Sequence, residues 1–292
     1  MNTNDISHLI FDVDGTLYDK QREYIVGHGS IEDSHEFFRY ATYSRARAQG
    51  NILDEAALIE EVGHEYRKKL RGGQLIDAIR AYSEEIKREY TTLVKKHGSN
   101  GKVFVNEFGT DSRFFAQIVG KTDFENILAE DRMFTQTLDT LRNRGYSLGI
   151  LTTEVFSTVE TVARVMGFSL DTMAFENYKG KPELISREGT NYPILCSENV
   201  KDKKPSREGF DKIMSITGAP ASNIVYVGDH IKKDVSAPLA LGMNAIHVNY
   251  RDNSKAIRDM QVNPHMHGCD EDKKYKQIST IYQLVDIFGE RI

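Results

Sequence analysis

Two carboxylates and a glycine in residues 12–16 form the strongest chemical signal in the chain. Asp12 and Asp14 follow the apolar run 9–11, which is typical of a short buried strand. Side chains two positions apart in an extended chain point to the same face, so both carboxylates leave the strand end side by side. Gly15 allows the backbone to turn sharply there. One carboxylate can therefore act as a nucleophile or metal ligand while the other transfers protons.

Two further apolar runs end in polar residues. Thr152 follows the predicted strand 147–151. Asp229 follows the predicted strand 224–227, and Asp234 comes shortly after it. Strands that alternate with helices form a parallel sheet, and such a sheet binds ligands beyond the carboxyl ends of its strands. We therefore expect these side chains to meet Asp12 and Asp14 at one edge of the sheet, although a capped, solvated turn is the alternative for residues 12–16 taken alone.

Lys204 adds a cation to this set. It precedes Pro205 at the start of a predicted helix, where proline is well tolerated. A lysine offsets the mutual repulsion of carboxylates and suits phosphoryl oxygens, whereas the carboxylates suit Mg²⁺, which binds oxygen ligands. A second Lys-Pro pair occupies residues 181–182. We favour Lys204 because residues 206–210 lead directly into a helix with apolar periodicity.

The chain between the first strand and residue 131 has a different pattern of apolar residues. Apolar residues recur there at helical spacing, with one predicted helix over 52–66 and a second over 75–93. We therefore predict an α/β fold with a doubly wound, Rossmann-like parallel sheet, built from residues 1–17 and 131–292. Residues 18–130 are predicted to form an inserted, all-helical domain.

One amphipathic helix is predicted near the C-terminal end, packed on the sheet. Its apolar positions are Ile278, Ile281, Leu284 and Ile287. Residues 251–275 before it carry no pattern that assigns them a role.

Composition limits the class of partner. The formal net charge of −5 argues against a nucleic acid polymer or an anionic membrane surface. No stretch approaches the roughly 20 apolar residues of a membrane helix, and the first residues lack a signal-peptide pattern. Cys196 and Cys269 are not at metal-like spacing, so we expect a cytoplasmic protein, with a disulfide between them left open.

Taken together, these motifs resemble the four motifs of the haloacid dehalogenase-like (HAD) superfamily, in the family's order. The motifs here are residues 12–16, Thr152, Lys204 with Pro205, and residues 228–234. The resemblance covers the first 17 residues and roughly residues 131–250. The helical block stands where the family's type I caps are inserted, and residues 175–192 are an insertion relative to typical members.

The resemblance implies a mechanism with two carboxylates. Asp12 would attack phosphorus and form an aspartyl-phosphate, and Asp14 would protonate the leaving alcohol and then activate water. Thr152 would donate a hydrogen bond to a phosphoryl oxygen. Lys204 would neutralise charge on Asp12 and on the phosphoryl group. An acid at Asp14 favours phosphatases over dehalogenases, because a halide leaving group needs no proton.

The resemblance also implies a metal ion and substrate contacts. Mg²⁺ would be held by Asp12, the backbone carbonyl of Asp14 and Asp229. Asp234 would lie behind them or act as an occasional ligand. Two substitutions within the motifs, Thr153 where Asn is frequent and His230 where Ser is frequent, keep hydrogen-bonding side chains. We therefore count Thr153 and His230, with Thr152 and Lys204, as predicted substrate-binding residues.

The predicted function is a Mg²⁺-dependent phosphatase that hydrolyses a small organic phosphate monoester. A phosphotransferase or phosphomutase that uses the same aspartyl-phosphate is the alternative within this class. A non-catalytic interaction module is the alternative outside it, and the intact set of charged residues argues against that reading. The expected partner is a small phosphorylated metabolite, whose identity the sequence does not specify, and the oligomeric state is equally unspecified.

Overall fold

The computed structural model describes residues 1–26, 28–50, 53–175, 186–187, 190–191, 194–250 and 275–290. The chain divides into two compact units, residues 1–19 with 130–292 and residues 20–129. The predicted domain bounds, after residues 17 and 130, lie within two residues of this division. Most of the predicted insertion 175–192, the pair 181–182 and residues 251–274 lie outside the described residues.

The first unit is built on a parallel sheet. The described strands are β1 (His8–Phe11), β2 (Ser147–Ile150), β3 (Ser186–Arg187), β4 (Thr190–Asn191), β5 (Ile224–Gly228), β6 (Asn244–Val248) and β7 (Tyr275–Ile278). Five of these form one sheet in the order β2-β1-β5-β6-β7, with every pairing parallel. The strands β3 and β4 pair antiparallel with each other. The α/β fold predicted from the sequence is confirmed.

Register aligns the strand ends that carry the predicted site. Phe11 at the end of β1 lies opposite Ile150 of β2 on one side and Val227 of β5 on the other. Leu9, Ile10 and Phe11 are all fully buried, as expected for a central strand covered on both faces. Because the three strands end level with one another, the polar residues that follow them emerge at a single edge.

The structure corrects the prediction for the C-terminal end. The predicted single helix through Ile278 and Leu284 is wrong, because Ile278 ends the strand β7 and pairs in register with Val248. Helical structure begins only at Ile281. The apolar spacing arises because the last buried residue of a strand and the first buried residues of a short helix follow one another closely.

The second unit is helical throughout its described part, without a strand. Its helices are α1 (Ile31–Gln49), α2 (Glu55–Arg71), α3 (Leu75–Ala81), α4 (Glu84–His97), α5 (Asn100–Phe108), α6 (Phe114–Val119) and α7 (Phe124–Ile127). No described helix of either unit is long and apolar enough to cross a membrane. The predicted helix over 75–93 is two helices, because Tyr82 is extended and the Ser83 hydroxyl accepts the Ile86 N–H to start α4.

Aromatic residues form the core of this helical unit. Phe37 and Phe38 of α1 are fully buried, and the ring of Phe38 lies 4.6 Å from that of Tyr66 on α2. These α1 aromatics therefore pack inside the unit, where the hydrophobic gain from burial is largest.

The first unit also contains helices between its strands. They are α8 (Arg132–Asn143), α9 (Phe156–Met166), α10 (Glu208–Thr217), α11 (Ala237–Ala240) and α12 (Leu284–Ile287). Short 3-10 turns occupy Thr3–Asp5, Leu170–Met173, Ala221–Asn223 and Ile281–Gln283, and a π-helical turn, Ile231–Ser236, runs directly into α11. Gly167 ends α9 with a φ of 83°, a left-handed conformation that favours glycine.

Candidate active site

The turn after β1 holds Asp12 and Asp14 in place. The backbone N–H of Asp12 donates to the carbonyl of Val227 at 2.9 Å, so Asp12 still belongs to the sheet. Gly15 then takes a φ of 74°, which lets the chain reverse immediately after Asp14. The hydroxyl of Tyr18 donates to Oδ1 of Asp14 at 3.1 Å. The second carboxylate is therefore oriented by a buried tyrosine four residues further along the chain.

The ammonium group of Lys204 contacts three polar side chains of the site. Its Nζ lies 2.9 Å from Oδ2 of Asp12, 2.7 Å from Oδ1 of Asp234 and 2.7 Å from the hydroxyl of Tyr226. The Lys204 side chain is only 2% exposed. Burial acts to lower the pKa of Lys204, but the charges of Asp12 and Asp234 outweigh it and raise that pKa well above its ordinary value. The ammonium is charged, and its three N–H groups have three acceptors.

Tyr226 fixes the third of these contacts. It lies inside the fully buried strand β5, and its hydroxyl donates to the carbonyl of Leu151 at 2.6 Å while accepting from Lys204. The sequence pattern treats Tyr226 as one more apolar strand residue. Its role becomes visible only when β5 is placed near the end of β2, so the prediction missed it.

We expect Tyr226→Phe to lower turnover roughly tenfold. A loss of this size is typical when a residue that orients a functional side chain, here Lys204, loses its hydrogen bond to that side chain. The change leaves one Lys204 N–H and the Leu151 carbonyl without a partner, which destabilises the fold by about 1–2 kcal/mol. Urea unfolding and steady-state kinetics measure the two effects separately. Tyr146→Phe is the matched control, because the buried Tyr146 hydroxyl also donates to a carbonyl, that of Gly289. Equal losses of activity in the two variants would contradict a positioning role for Tyr226.

Asp234 is completely buried and has donors at both oxygens. Lys204 donates to Oδ1, and the backbone N–H of His230 donates to Oδ2 at 3.0 Å. Burial raises the pKa of Asp234, while the Lys204 ammonium lowers it. Gly228 makes room for this carboxylate: a Cβ at residue 228 would lie 2.3 Å from Cβ of Asp234. A side chain larger than hydrogen at this position would displace Asp234 and with it Lys204.

Three carboxylates converge at the sheet edge. One oxygen each from Asp12, Asp229 and Asp234 lies within 4.8 Å of the other two. A set of oxygen donors at this separation fits a hard divalent cation such as Mg²⁺. The carboxylate of Asp14 is outside this group, and its predicted backbone ligand stays a prediction. Behind Asp229, the ring Nε2 of His247 lies 2.9 Å from the Asp229 carbonyl and supports that turn.

The remaining predicted residues lie around this centre. Thr152 is buried, its N–H donates to the carbonyl of Leu195 at 2.9 Å, and its Oγ1 accepts the N–H of Glu154 at 3.2 Å. Thr153 is partly exposed. His230 is exposed, and its Nδ1 accepts the N–H of Lys232 at the start of the π-helical turn. Substrate contacts by Thr152, Thr153 and His230 stay predictions.

A protein-family model described as haloacid dehalogenase-like hydrolase matches residues 6–242. The chain belongs to the haloacid dehalogenase-like hydrolase family. The family resemblance predicted from the four motifs is thereby confirmed.

Individual relatives of this HAD-like hydrolase agree with that assignment. Haloacid dehalogenase-like hydrolase domain-containing protein 3 from Danio rerio is 32% identical over 78 residues, which are 27% of this chain and 32% of the relative. The chain thus spans about a third of the length of this curated relative.

Solved structures show the same fold. The HAD phosphatase from Thermococcus onnurineus superimposes with a TM-score of 0.52 at 17% identity, over 98% of this chain and 100% of that one. CbbY from Rhodobacter sphaeroides, in complex with phosphate, gives a TM-score of 0.51 at 14% identity, over 96% of each chain.

Glu154 is an ionisable residue beside the HAD motifs that the sequence interpretation did not select. Its Oε2 is buried and has no hydrogen-bond partner within the described chain. Burial, followed by the negative charge of Asp14, raises the pKa of Glu154 to about 8, while Lys203 and Lys233 lower it. Only its position, two residues after Thr152, could have drawn attention to it.

Proposed function

We propose that this HAD-like hydrolase is a Mg²⁺-dependent phosphatase that hydrolyses a small organic phosphate monoester through an aspartyl-phosphate on Asp12. The main support is the 2.9 Å contact between Nζ of Lys204 and Oδ2 of Asp12 at the end of β1. A fixed ammonium beside a carboxylate at a sheet edge can stabilise the charge that develops during phosphoryl transfer. Because Asp234 and Tyr226 hold the ammonium from behind, it is already in position before substrate arrives.

The proposed reaction has two steps. In the first, a carboxylate oxygen of Asp12 bonds to phosphorus while the ester P–O bond breaks, and Asp14 gives its proton to the departing alcohol oxygen. In the second, Asp14 takes a proton from water, the water oxygen bonds to phosphorus, and the P–O bond to Asp12 breaks. The hydroxyl of Tyr18, donating to Oδ1 of Asp14, orients this carboxyl group for both transfers.

Two of the three converging carboxylates are proposed to hold the metal ion. Asp12 and Asp229 contribute oxygens to the cluster, whereas both oxygens of Asp234 already accept hydrogen bonds. We therefore assign Asp234 to holding Lys204 and the ion to Asp12 and Asp229, with the backbone carbonyl of Asp14 as the third predicted ligand. When bound, Mg²⁺ neutralises charge on the phosphoryl oxygens.

The first experiment is a phosphatase assay with p-nitrophenyl phosphate and Mg²⁺. We expect one free phosphate for each p-nitrophenol released, and loss of turnover when a chelator removes the ion. Addition of a small alcohol separates hydrolysis from phosphotransfer, since a phosphotransferase forms a new ester in place of free phosphate. A folded protein that turns over neither p-nitrophenyl phosphate nor a panel of natural phosphate monoesters would contradict the proposed function.

We expect the effect of Asp14→Asn to depend on the leaving group. With ethyl phosphate, whose alcohol needs a proton to leave, the first step should slow by about 10²–10⁴-fold. With p-nitrophenyl phosphate the first step should largely survive, because the phenolate leaves without a proton. The second step still lacks its base, so the phosphoryl-enzyme should accumulate.

A stopped-flow burst of about one equivalent of p-nitrophenolate, followed by a slow phase, is the expected signature of this variant. Intact-protein mass spectrometry should show one added phosphoryl group. Asp139→Asn, on the exposed face of α8, is the matched control and should behave like the wild type. Equal slowing of both substrates without a burst would contradict the role proposed for Asp14.

A further inference from the structure

The backbone around Glu154 is fixed at the sheet edge. Its N–H donates to Oγ1 of Thr152 at 3.2 Å, and its carbonyl accepts the N–H of Ser197 at 2.9 Å. Thr152 itself is tied to the carbonyl of Leu195. The Glu154 side chain therefore starts from a rigid point directly beyond the end of β2.

The carboxyl group of Glu154 is within electrostatic reach of the proposed reaction centre. The groups that act on it most strongly are Asp14, Lys203, Asp12 and Lys233. The negative charge of Glu154 also acts to raise the pKa of Tyr18, whose hydroxyl donates to Asp14. In the proposed mechanism Asp14 carries the proton to the leaving alcohol. Strand β2 pairs with β1, and the N–H of Leu151 donates to the carbonyl of Phe11, so the turn that carries Glu154 lies beside the turn that carries Asp12 and Asp14.

One oxygen of the Glu154 carboxyl group lacks a hydrogen-bond donor among the described residues. Oε2 of Glu154 is buried and accepts no hydrogen bond from any described residue, although the residue as a whole keeps some exposed surface. A buried acceptor without a donor destabilises the free protein, all the more so beside Asp12 and Asp14. Asp234, by contrast, is completely buried and has donors at both oxygens. The difference is explained if a ligand brings the missing donor.

We infer that Glu154 contacts the substrate and selects phosphate esters whose alcohol carries a hydroxyl group next to the ester carbon, while rejecting those that carry a carboxylate there. A hydroxyl donates the hydrogen bond that Oε2 lacks. A carboxylate offers no donor, and Glu154 repels it at pH values above its pKa of about 8, where the Glu154 carboxyl group is ionised. An ammonium group also offers donors. However, the positive charges of Lys203 and Lys233 already act on the Glu154 carboxyl group and would repel a further cation there. This inference rests on the proposed phosphatase function and names its substrate class.

Four esters of nearly equal size test the inference: ethyl, 2-hydroxyethyl, 2-aminoethyl and carboxymethyl phosphate. At pH 9, where Glu154 is ionised, we expect the wild type to prefer 2-hydroxyethyl over ethyl phosphate by about tenfold or more in kcat/KM. Carboxymethyl phosphate should be the poorest of the four, about a hundredfold below 2-hydroxyethyl phosphate. The 2-aminoethyl ester should fall below the 2-hydroxyethyl ester.

Two variants separate charge from hydrogen bonding. Glu154→Gln keeps the shape and a carbonyl acceptor, so the penalty against carboxymethyl phosphate should shrink about tenfold while part of the hydroxyl preference remains. Glu154→Ala should lose both preferences, so that its kcat/KM values for ethyl, 2-hydroxyethyl and carboxymethyl phosphate converge. Glu160→Gln, on the exposed side of α9, is the matched control and should keep the wild-type order. Because Glu154→Gln removes an ionisable group that is buried beside two aspartates, the melting temperature of this variant at pH 9 should equal or exceed that of the wild type.

The outcomes distinguish this inference from the proposed function. If the wild type hydrolyses ethyl phosphate and shows no preference among the four esters, the phosphatase proposal stands and the selection by Glu154 is overturned. If no ester is hydrolysed, calorimetric binding of 2-hydroxyethyl and ethyl phosphate to the Mg²⁺-loaded protein decides the matter. Equal affinities for the two esters in the wild type and in Glu154→Gln would then overturn the inference.

Discussion

Asp12→Asn is expected to reduce phosphatase turnover by about 10⁴-fold or more, the size of effect seen when an enzyme loses its nucleophile. An amide does not attack phosphorus, and the same change removes one oxygen of the three-carboxylate cluster. The fold should survive, because Lys204 keeps Asp234 and Tyr226 as partners. Circular dichroism and thermal unfolding check this point alongside the assay.

The expected loss in Asp12→Asn should be the same for alkyl and aryl phosphates, since both need the nucleophile. This pattern differs from that of Asp14→Asn, where the leaving group decides the effect. No phosphoryl adduct should be detectable by mass spectrometry in the Asp12 variant. Turnover within tenfold of the wild type, or an adduct on the variant, would mean that a different residue attacks phosphorus.

Lys204→Met is expected to lower turnover by about 10³-fold and also to destabilise the fold by about 3–5 kcal/mol. The loss of stability follows from Asp234, which stays fully buried without its cation. Chemical denaturation measures the stability, and p-nitrophenyl phosphate hydrolysis measures the activity. Lys212→Met on α10 is the matched control, because Lys212 forms a half-buried ion pair with Glu208 and is not one of the groups that contact Lys204.

The destabilisation in Lys204→Met should depend on pH. Burial raises the pKa of Asp234 and the ammonium opposes that effect, so its removal leaves burial unopposed. A carboxyl group with a raised pKa in the folded state stabilises the protein while protonated and loses that contribution as pH rises through the folded-state value. Lys204→Met should therefore be closer to wild-type stability at pH 5 than at pH 8.

A second substitution tests this explanation. Adding Asp234→Asn to Lys204→Met removes the stranded charge, so stability should return across the whole pH range while activity stays low. If the double variant is no more stable than Lys204→Met at pH 8, the buried carboxylate is not the cause of the destabilisation.

The parts of the site that were predictable from the sequence depend on local patterns. The run before Asp12 is apolar at every position because a central parallel strand is covered on both faces. Gly15 follows directly because the chain must reverse there. Once three such strands are placed in parallel, their ends must share an edge, which brings Asp12, Thr152 and Asp229 together without knowledge of any side-chain contact.

The parts that were not predictable depend on contacts between distant segments. Tyr226 looks like any other strand residue until Lys204, 22 positions earlier, and the carbonyl of Leu151 are placed at its hydroxyl. The unpartnered oxygen of Glu154 is likewise a property of the folded surroundings. The strand β7 has a single buried residue, Ile278, and its polar sequence gives no alternation to detect.

The break between α3 and α4 was detectable in principle. No glycine or proline marks it, so apolar spacing carried the predicted helix across it. The available signal was the capping residue Ser83 followed by two acidic residues, a combination typical of a helix start. Substrate identity, the metal ion and the partner stay predictions, because they depend on molecules outside the chain.

The position of β1 in the sheet has a consequence for synthesis of the protein. The strand lies between β2 and β5, yet its first partner along the chain is β2, which begins at Ser147. At the usual rate of translation, about 5–20 residues per second, the residues between Phe11 and β2 take roughly 7–27 seconds to make. The apolar strand that precedes Asp12 thus stays without either strand partner until β2 has been made. Meanwhile the whole of residues 20–129, which form a compact unit of their own, is made.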